Sequence, residues 1–333
     1  MNYRGSFNYF DFSEIKTYPI SERSNKVKLS DLVSPEGVER SEHCDRTDIN
    51  AVAAAVLEAH SNGQPVIFMS GAHYIKNGLS PLVVDLIKKG LLTHVAMNGA
   101  GSIHDFELAL IGETSENVPD ALPKGLFGMA YETGKYMNDA LAAGHARDLG
   151  YAESLARLMD GEAMPERVDF PHREDSVMYA AYKAGMPVTI HASMGADIID
   201  QHPSFDGAAI GGTSGRDFGV FAATVARMTE GGVFINMSSA VTGPEVFLKA
   251  ISMAANVGKA PGPIVTANFD MRNVNQDDVS NETKPTYYFR DNKSIVTRIP
   301  ASFEGRGYYV KGNQLDTLPA LYTLLVQNLE VEE

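Results

Sequence analysis

The stretch LLTHVAMNGAGSIHDFELALIG, residues Leu91 to Gly112, decides the fold class. Its first part is an apolar run that predicts a buried β-strand. A glycine-rich turn follows, and the apolar residues after the turn have helical spacing. Because glycine-rich turns between a strand and a helix often hold a phosphate, this turn is a candidate binding site. His104 and Asp105 come directly after the turn and are candidate catalytic residues.

The same order of strand, turn and helix recurs along the chain. Short apolar runs end in small or polar residues in QPVIFMSG, MPVTIHAS, VFINMSSA and GPIVTANFD, and segments with helical periodicity separate them. Strands of about five residues that alternate with helices of roughly 12 to 16 predict a parallel sheet with helices on both faces. We therefore expect an α/β fold with a doubly wound parallel sheet. Ligands of such folds bind at the carboxyl ends of the strands.

Three segments interrupt this order. Residues 1–47 are polar and predict an irregular segment that wraps the domain or reaches a neighbouring subunit. Residues 113–174 predict a helical insertion without a strand, and residues 270–300 predict a long polar loop. Long loops inside compact domains are often functional. The remaining pattern favours a single α/β domain over residues 48–333.

The composition excludes several classes of partner. The 333 residues carry a formal net charge of -14, and no cluster of lysine and arginine offers a cationic face to nucleic acid. No apolar run approaches the roughly 18 residues of a membrane span, and the N-terminus lacks the apolar core of a secretory signal. The single cysteine, Cys44, excludes an internal disulfide and fits a reducing cytoplasm. We expect a cytoplasmic protein without nucleic-acid or membrane partners.

Five predicted strand ends carry small or hydrogen-bonding residues. Small residues let a ligand approach the backbone, and free amides at helix N-termini attract anions. Five such ends predict an extended ligand such as a dinucleotide, although tight packing of strands on helices is an alternative. There is no GxGxxG fingerprint, and GGTSGRDFG (residues 211–219) lacks a phosphate-loop lysine, so Ser214 is expected to cap the next helix. The five ends are residues 69–73, 97–102, 191–195, 236–240 and 266–268.

Histidines and lysines are the candidate groups for chemistry. His73, His104 and His191 lie at or just after strand ends, where a cluster would bind a metal or move a proton. No HxH or HxxxH pair has the spacing of metal ligands, so one functional histidine, His104 or His191, is favoured; a structural histidine is the alternative. Lys284 and Lys293 of the polar loop are candidate nucleophiles or, alternatively, solvated loop lysines.

Four segments carry a resemblance to a known family. They are GLSPLVVDLIKKGLLTHVAMNGAGSIHDFELAL, SVMYAAYKAGMPVTIHASMGADII, VFINMSSAVTGPEVFLKAI and IVTANFD. In this order, over roughly residues 48–270, they resemble the corresponding segments of deoxyhypusine synthase and its bacterial relatives. The resemblance implies an NAD-binding α/β fold without the standard Rossmann motif, NAD as cofactor, and a homotetramer. By position, it implies NAD contacts from Ser70, Gly71, Ala72, His73, Asn98, Gly99, Ala100, Gly101, Ser238, Ser239, Thr266 and Ala267.

The chain departs from this family where the family's chemistry occurs. Ile103 and His104 replace paired glutamates, and His191 replaces an aspartate. Lys293, with Lys284 second, falls where the family has its catalytic lysine. Losing carboxylates removes the partners that buried polyamine ammonium groups require. We expect an NAD-dependent transferase-like enzyme for an amine-bearing small molecule other than spermidine; a non-catalytic nucleotide sensor and a metal-assisted hydrolase are the alternatives.

Overall fold

The computed structural model describes residues 3–38 and 46–332. Cys44, on which the expectation about disulfides depends, lies outside these residues. Within them, no helix is both long and apolar enough to cross a bilayer.

Eight strands and twelve α-helices make up the described chain. The strands β1 to β8 are Asn25–Lys28, Val66–Ser70, His94–Asn98, Glu113–Glu116, Val188–His191, Gly232–Met237, Ile264–Asp270 and Arg306–Lys311. The helices α1 to α12 are Arg46–Ser61, His73–Lys76, Ser80–Lys88, Gly99–Ile111, Val118–Ala121, Tyr131–His145, Tyr151–Met159, Val177–Lys183, Gly207–Val225, Thr242–Asn256, Ile299–Ser302 and Gln314–Glu332.

Six of these strands form one parallel sheet in the order β5-β3-β2-β6-β7-β8. The chain starts in the middle of the sheet, at β2, moves to one edge through β3 and β5, and then returns to β6. The direction of winding therefore reverses between β2 and β6, where Ser70 pairs with Met237. This reversal opens a crevice at the carboxyl ends of the strands, which is where doubly wound sheets bind ligands.

Helices cover both faces of this sheet, as the sequence predicts. Successive residues of β2 point into different parts of the core because side chains alternate along a strand. Phe68 packs into a cluster with α1, α3 and α12, whereas Met69 packs into a second cluster with α9 and α10. Both faces are buried, which is why the strands read as continuous apolar runs.

The stretch that decided the fold class forms β3 and α4, with the turn between them. The side chain of Asn98 caps α4, since its Oδ1 accepts from the backbone N–H of Gly101 at 2.9 Å. The helix ends at Gly112, whose φ of 69° is the left-handed conformation that favours glycine.

The N-terminal segment is more ordered than its composition predicts. Its strand β1 pairs antiparallel with β4, with Val27 opposite Thr114. The prediction that residues 113–174 contain no strand is therefore wrong. A strand of four residues gives too short a pattern to detect, and its partner lies more than eighty positions earlier in the chain.

Two further expectations need correction. GGTSGRDFG lies inside α9, which begins at Gly207 and is capped by Asp206, so Ser214 caps nothing. Its hydroxyl donates to the carbonyl of Ile190 at 2.8 Å instead. The polar segment 270–300 is largely irregular but ends in a π-helix, Asn292–Arg298.

Candidate functional site

A cavity of about 530 Å³, the central cavity, lies at the carboxyl ends of β6, β7 and β8 and is closed by the turn after β2. It therefore occupies the crevice that the reversal of winding predicts. Its lining residues are His73, Asn77, Met237, Ser238, Ala240, Phe269, Asp270, Met271, Arg272, Asp291, Gly312, Asn313, Gln314, Leu315 and Thr317.

Two buried polar atoms on the wall of the central cavity have no hydrogen-bond partner among the described residues. They are Oγ1 of Thr317, which is fully buried, and Oδ1 of Asp291, which is 3% exposed. The other carboxylate oxygen of Asp291 accepts from Nδ2 of Asn268 at 3.3 Å and from the guanidinium of Arg272. An unpaired buried polar atom is costly, so such atoms in a cavity wall indicate a polar ligand.

The turn after β2 touches the turn after β6 in the floor of the crevice. The N–H of Gly71 donates to the carbonyl of Met237 at 3.0 Å, and a Cβ at residue 71 would lie only 2.5 Å from the carbonyl oxygen of Ser238. Ser238 itself has a φ of 57°, a strained conformation for a residue other than glycine. Strain of this kind concentrates at ligand sites.

The short helix α2 separates the central cavity from a second one, the acidic cavity, of about 230 Å³. His73 of this helix faces the central cavity and Lys76 faces the acidic one. Ser115, with a φ of 72°, places a second strained serine on the wall. The residues that line the acidic cavity are Arg23, Lys76, Ala100, Ile103, His104, Glu107, Ser115, Glu116, Val118, Phe127, Ala196, Asp197 and Ile198.

Three carboxylates line this cavity, and the sequence analysis missed all three. Glu107 lies one helical turn after Ile103, so helical periodicity could have placed it beside the glycine turn. Glu116 ends β4 and Asp197 follows β5, so only the folded chain brings them to this position. The three carboxylates therefore come from three different parts of the chain.

His104 is held by a chain of hydrogen bonds that determines which ring nitrogen carries the proton. Its Nδ1 lies 2.7 Å from Oγ1 of Thr114, and that hydroxyl donates to Oε2 of Glu107 at 2.6 Å. An ionised carboxylate only accepts hydrogen bonds, so the hydroxyl proton of Thr114 points to Glu107. The oxygen of that hydroxyl must therefore accept a hydrogen bond from His104. The imidazole is then protonated at Nδ1, and Nε2 keeps its lone pair.

Charge and burial support this assignment. Burial raises the pKa of the Glu107 carboxyl, but the hydrogen bond and charge of Arg23, 2.8 Å away, outweigh burial and bring this pKa below its ordinary value. Burial lowers the pKa of His104 to about 4, with Glu107 opposing. The histidine is therefore neutral near neutral pH, and its Nε2 is available as a proton acceptor.

Asp197 lies against the backbone at the start of α4, where a Cβ at Gly99 would overlap its carboxylate. Burial and, to a smaller extent, the charge of the neighbouring Asp200 together raise the pKa of Asp197 to about 7. No cation pairs with this carboxylate among the described ion pairs. A half-buried carboxylate of this kind, with no paired cation, is stabilised when a cation binds beside it.

Most of the residues predicted to bind the cofactor lie in or beside the turns that follow the strands, but they do not line the central or the acidic cavity. Ser70 and Ala72 are buried, Ser239 accepts from the N–H of Gly243 at 2.9 Å, and Asn98 caps α4. Those that do line a cavity are His73, Ser238 and Ala100.

Thr266 and Ala267 do not reach the crevice. Both lie in the interior of β7, which continues to Asp270, and both are fully buried. The sequence analysis placed the end of this strand at residues 266–268, because the apolar run becomes polar there. In the structure β7 continues to Asp270. Residues 269–272 occupy the expected position instead.

The predicted catalytic residues are not brought together. His191 lines a third cavity, on the side of the sheet covered by α9 and α10. Asp105 is fully buried and accepts from the N–H groups of Val177 and Met178 at 2.8 and 3.0 Å, so it caps α8. Burial raises its pKa to about 6.

The two lysines also lie away from the central and acidic cavities. Lys293 is buried in the π-helix, and its Nζ lies 3.5 Å from the centre of the Tyr287 ring. Burial, with Arg298 and Arg290, lowers its pKa. Lys284 is exposed.

The histidines that the sequence placed at strand ends are likewise divided. His73, His104 and His191 line three different cavities. Within residues 3–38 and 46–332, no group of three or more histidine, cysteine, aspartate or glutamate side chains has the arrangement of a metal site.

Fold and site together define an α/β protein with a ligand crevice at the switch point of a parallel sheet. No family profile and no curated protein matches the sequence. Among solved structures, the chain is similar to a LOR/SDH protein from Methanococcus maripaludis, with a TM-score of 0.50 and 18% identity over 90% of this chain and 74% of that one. The deoxyhypusine-synthase-like fold predicted from the sequence is thereby confirmed, at the level of fold.

Two other similar structures have TM-scores below 0.5. A protein assigned as a deoxyhypusine synthase from Entamoeba histolytica gives 0.47, with 10% identity over 94% of this chain and 97% of that one. AgrE, crystallised with ornithine and NAD⁺, gives 0.45, with 15% identity over 88% of this chain. The present chain covers only 34% of AgrE.

Proposed function

We propose that this protein is an NAD-dependent enzyme that oxidises an amine-bearing small molecule other than spermidine. The observation that carries the proposal is the position of the acidic cavity beside the central cavity, with α2 as their common wall. We place a dinucleotide in the first and an amine in the second, with the nicotinamide end reaching past α2 toward the amine near the carboxyl ends of β2 and β3.

The residues of the central cavity fit a dinucleotide. The unpaired oxygens of Thr317 and Asp291 on its wall suit ribose hydroxyls. Arg272 supplies a cation on the same wall. When bound, NAD supplies the acceptor for a hydride.

The residues of the acidic cavity fit an amine. Asp197 would pair with an ammonium group, and this pairing would bring its raised pKa down. The amine nitrogen must be uncharged before the neighbouring carbon can give up a hydride, and Nε2 of His104 is the group placed to accept that proton. The positive charge would then be stabilised by Glu107 through Thr114.

Lys293 is left out of this mechanism. Its ammonium group faces the Tyr287 ring and lines neither cavity, so its placement does not support capture of the oxidised fragment. Oxidation is therefore the proposed reaction, and transfer to a lysine is not part of it.

The proposal includes a homo-oligomer. Its support is the aromatic surface of the N-terminal segment, where Phe7 and Phe10 are 83% and 66% exposed. Exposed aromatic side chains in such a group suit a contact with a second copy. Light scattering on the full chain and on the double variant Phe7→Ser, Phe10→Ser tests this: a smaller assembly is expected for the variant, and an unchanged mass contradicts this contact.

The experiment that tests the function follows NADH absorbance while diamines, amino alcohols and amino acids are added to the protein with NAD. We expect NADH to form with at least one amine, and His104→Gln to reduce the rate by about 100-fold or more. His60→Gln, at a half-buried histidine at the end of α1 that lines neither cavity, is the matched control and should retain the rate. NAD binding without reduction by any amine would favour the sensor alternative.

A further inference from the structure

A third cavity of about 440 Å³ lies between α9 and α10, and we name it the α9–α10 cavity. It shares no lining residue with the central or the acidic cavity. Its wall is mainly apolar, with Glu245 and Lys249 paired across one side. The residues that line it are His191, Ala192, Met194, Ile210, Gly211, Ser214, Gly215, Phe218, Glu245, Val246 and Lys249.

His191 contributes a polar ring to the wall of this cavity. This residue is only 5% exposed. The rings of Phe218 and Phe221 pack edge-on against the imidazole, with centroid distances of 6.4 and 5.2 Å. Nε2 lies 3.2 Å from Oγ1 of Thr189. No described residue forms a hydrogen bond with Nδ1, and this nitrogen is not sealed in the core.

A buried chain of hydrogen bonds continues from His191 into the protein. Oγ1 of Thr189 lies 2.9 Å from Nε2 of His94, and Nδ1 of His94 lies 2.8 Å from Oγ1 of Thr224. The chain ends where Thr224 donates to the carbonyl of Val220 at 3.4 Å. The donors along the chain depend on the Thr224 proton. With that proton on the Val220 carbonyl, which only accepts, His94 donates from Nδ1, Thr189 donates to His94, and His191 donates from Nε2.

We propose that His94 and Thr189 are positioning residues that hold His191 with its proton on Nε2, and that the α9–α10 cavity binds an apolar ring carrying one N–H or O–H donor. The lone pair on Nδ1 accepts that donor. Gly211 and Gly215 have open space where a Cβ would be, so a flat ring fits against the helix surface there. The proposal does not rest on NAD or on the amine, because both are proposed for cavities that share no lining residue with this one.

The tautomer is tested first, by nitrogen-15 NMR of the histidine rings in the full-length protein. We expect His191 to show a protonated Nε2 and an unprotonated Nδ1. Thr189→Val should leave a mixture of tautomers, and Thr189→Ser should restore the single form. A proton on Nδ1 in the wild-type protein overturns the proposal, and so does a single Nε2–H form that survives in Thr189→Val.

The ligand class is tested with indole and 1-methylindole, which differ in the N–H donor. The chain contains no tryptophan, so indole fluorescence excited at the red edge of tyrosine absorption reports binding without a tryptophan background. We expect saturable binding of indole and about fivefold weaker binding of 1-methylindole, the loss of one hydrogen bond. Gly215→Val should abolish binding of both, whereas Gly219→Val, on the same helix with open space and outside the cavity, should not. Equal affinities, no saturable binding, or equal effects of the two variants overturn the proposal.

Discussion

Nδ1 of His104 lies 2.7 Å from the hydroxyl oxygen of Thr114, and this bond leaves Nε2 of the same ring as a proton acceptor in the acidic cavity. The first prediction concerns this pair. Thr114→Val keeps the shape of the side chain but removes the bond that orients the ring and the link to Glu107. We expect kcat for amine oxidation to fall by roughly 10- to 100-fold with little change in KM.

The matched variant for this prediction is Thr114→Ser, which keeps the hydroxyl and should recover most of the lost rate. A rate in Thr114→Val equal to that of the wild type would mean that the bond has no part in the reaction.

The second prediction concerns the pH dependence of amine binding. The carboxyl of Asp197 has a pKa of about 7 instead of 3.8, so much of it is uncharged below neutral pH. Amine affinity should therefore rise as pH increases through about 7, and Asp197→Asn should weaken binding and remove this dependence. Calorimetric titration at several pH values measures both; an affinity independent of pH in the wild type argues against Asp197 as the ammonium partner.

The raised pKa of Asp197 also predicts how the free energy of unfolding depends on pH. A folded-state pKa above the unfolded value means that the folded protein holds the proton more tightly. Stability is therefore lost as pH rises from about 4 through about 7. Asp197→Asn should be more stable than the wild type by roughly 1 to 3 kcal/mol above neutral pH, and should lose this advantage near pH 4. Urea unfolding at the two pH values distinguishes this pattern from a uniform change.

The third prediction concerns the close approach of Gly71 to Ser238. A Cβ at residue 71 would lie 2.5 Å from the backbone oxygen of Ser238, so Gly71→Ala must displace one of the two turns. We expect weaker NAD binding by at least tenfold and a lower midpoint of thermal unfolding. Gly219→Ala, where the Cβ meets open space on α9, is the matched control and should gain about 0.5 to 1 kcal/mol of stability.

The fourth prediction uses the unpaired hydroxyl of Thr317. Thr317→Val should weaken NAD binding by about fivefold, because it removes a buried, unpaired oxygen that we propose to form a hydrogen bond with NAD. The stability of the ligand-free protein should be unchanged or slightly higher, since no internal bond is broken. Thr323→Val, on the same helix, removes a hydroxyl that bonds Pro319 at 2.9 Å, and should reverse this pattern.

The sequence predicted the layers of the fold and the turn of the opening stretch because both depend on local patterns. Phe68 and Met69 belong to one apolar run, and the cap of α4 by Asn98 lies within four residues. The acidic cavity could not be predicted in the same way. Arg23 and Glu107 meet across more than eighty positions, and the alternation of β4 is too short to reveal its pairing with β1.

The histidines show that a residue's position in the sequence does not predict which cavity its side chain will line. His104 and His191 both follow predicted strands, yet α4 directs the first to the acidic cavity and β5 directs the second to the opposite face. Asp105, next to His104 in the chain, points into the core because residues adjacent on a helix face different directions. Which side a residue faces was decided by packing that the motif alone does not contain.

The measurement that tests the central claim most directly is a crystal structure of the protein soaked with NAD. The account predicts one dinucleotide per chain in the central cavity, with Thr317 and the free oxygen of Asp291 within hydrogen-bond distance of it, and its nicotinamide end toward His104. Absence of NAD from this cavity after soaking at millimolar concentration, together with no saturable binding in solution, would contradict it.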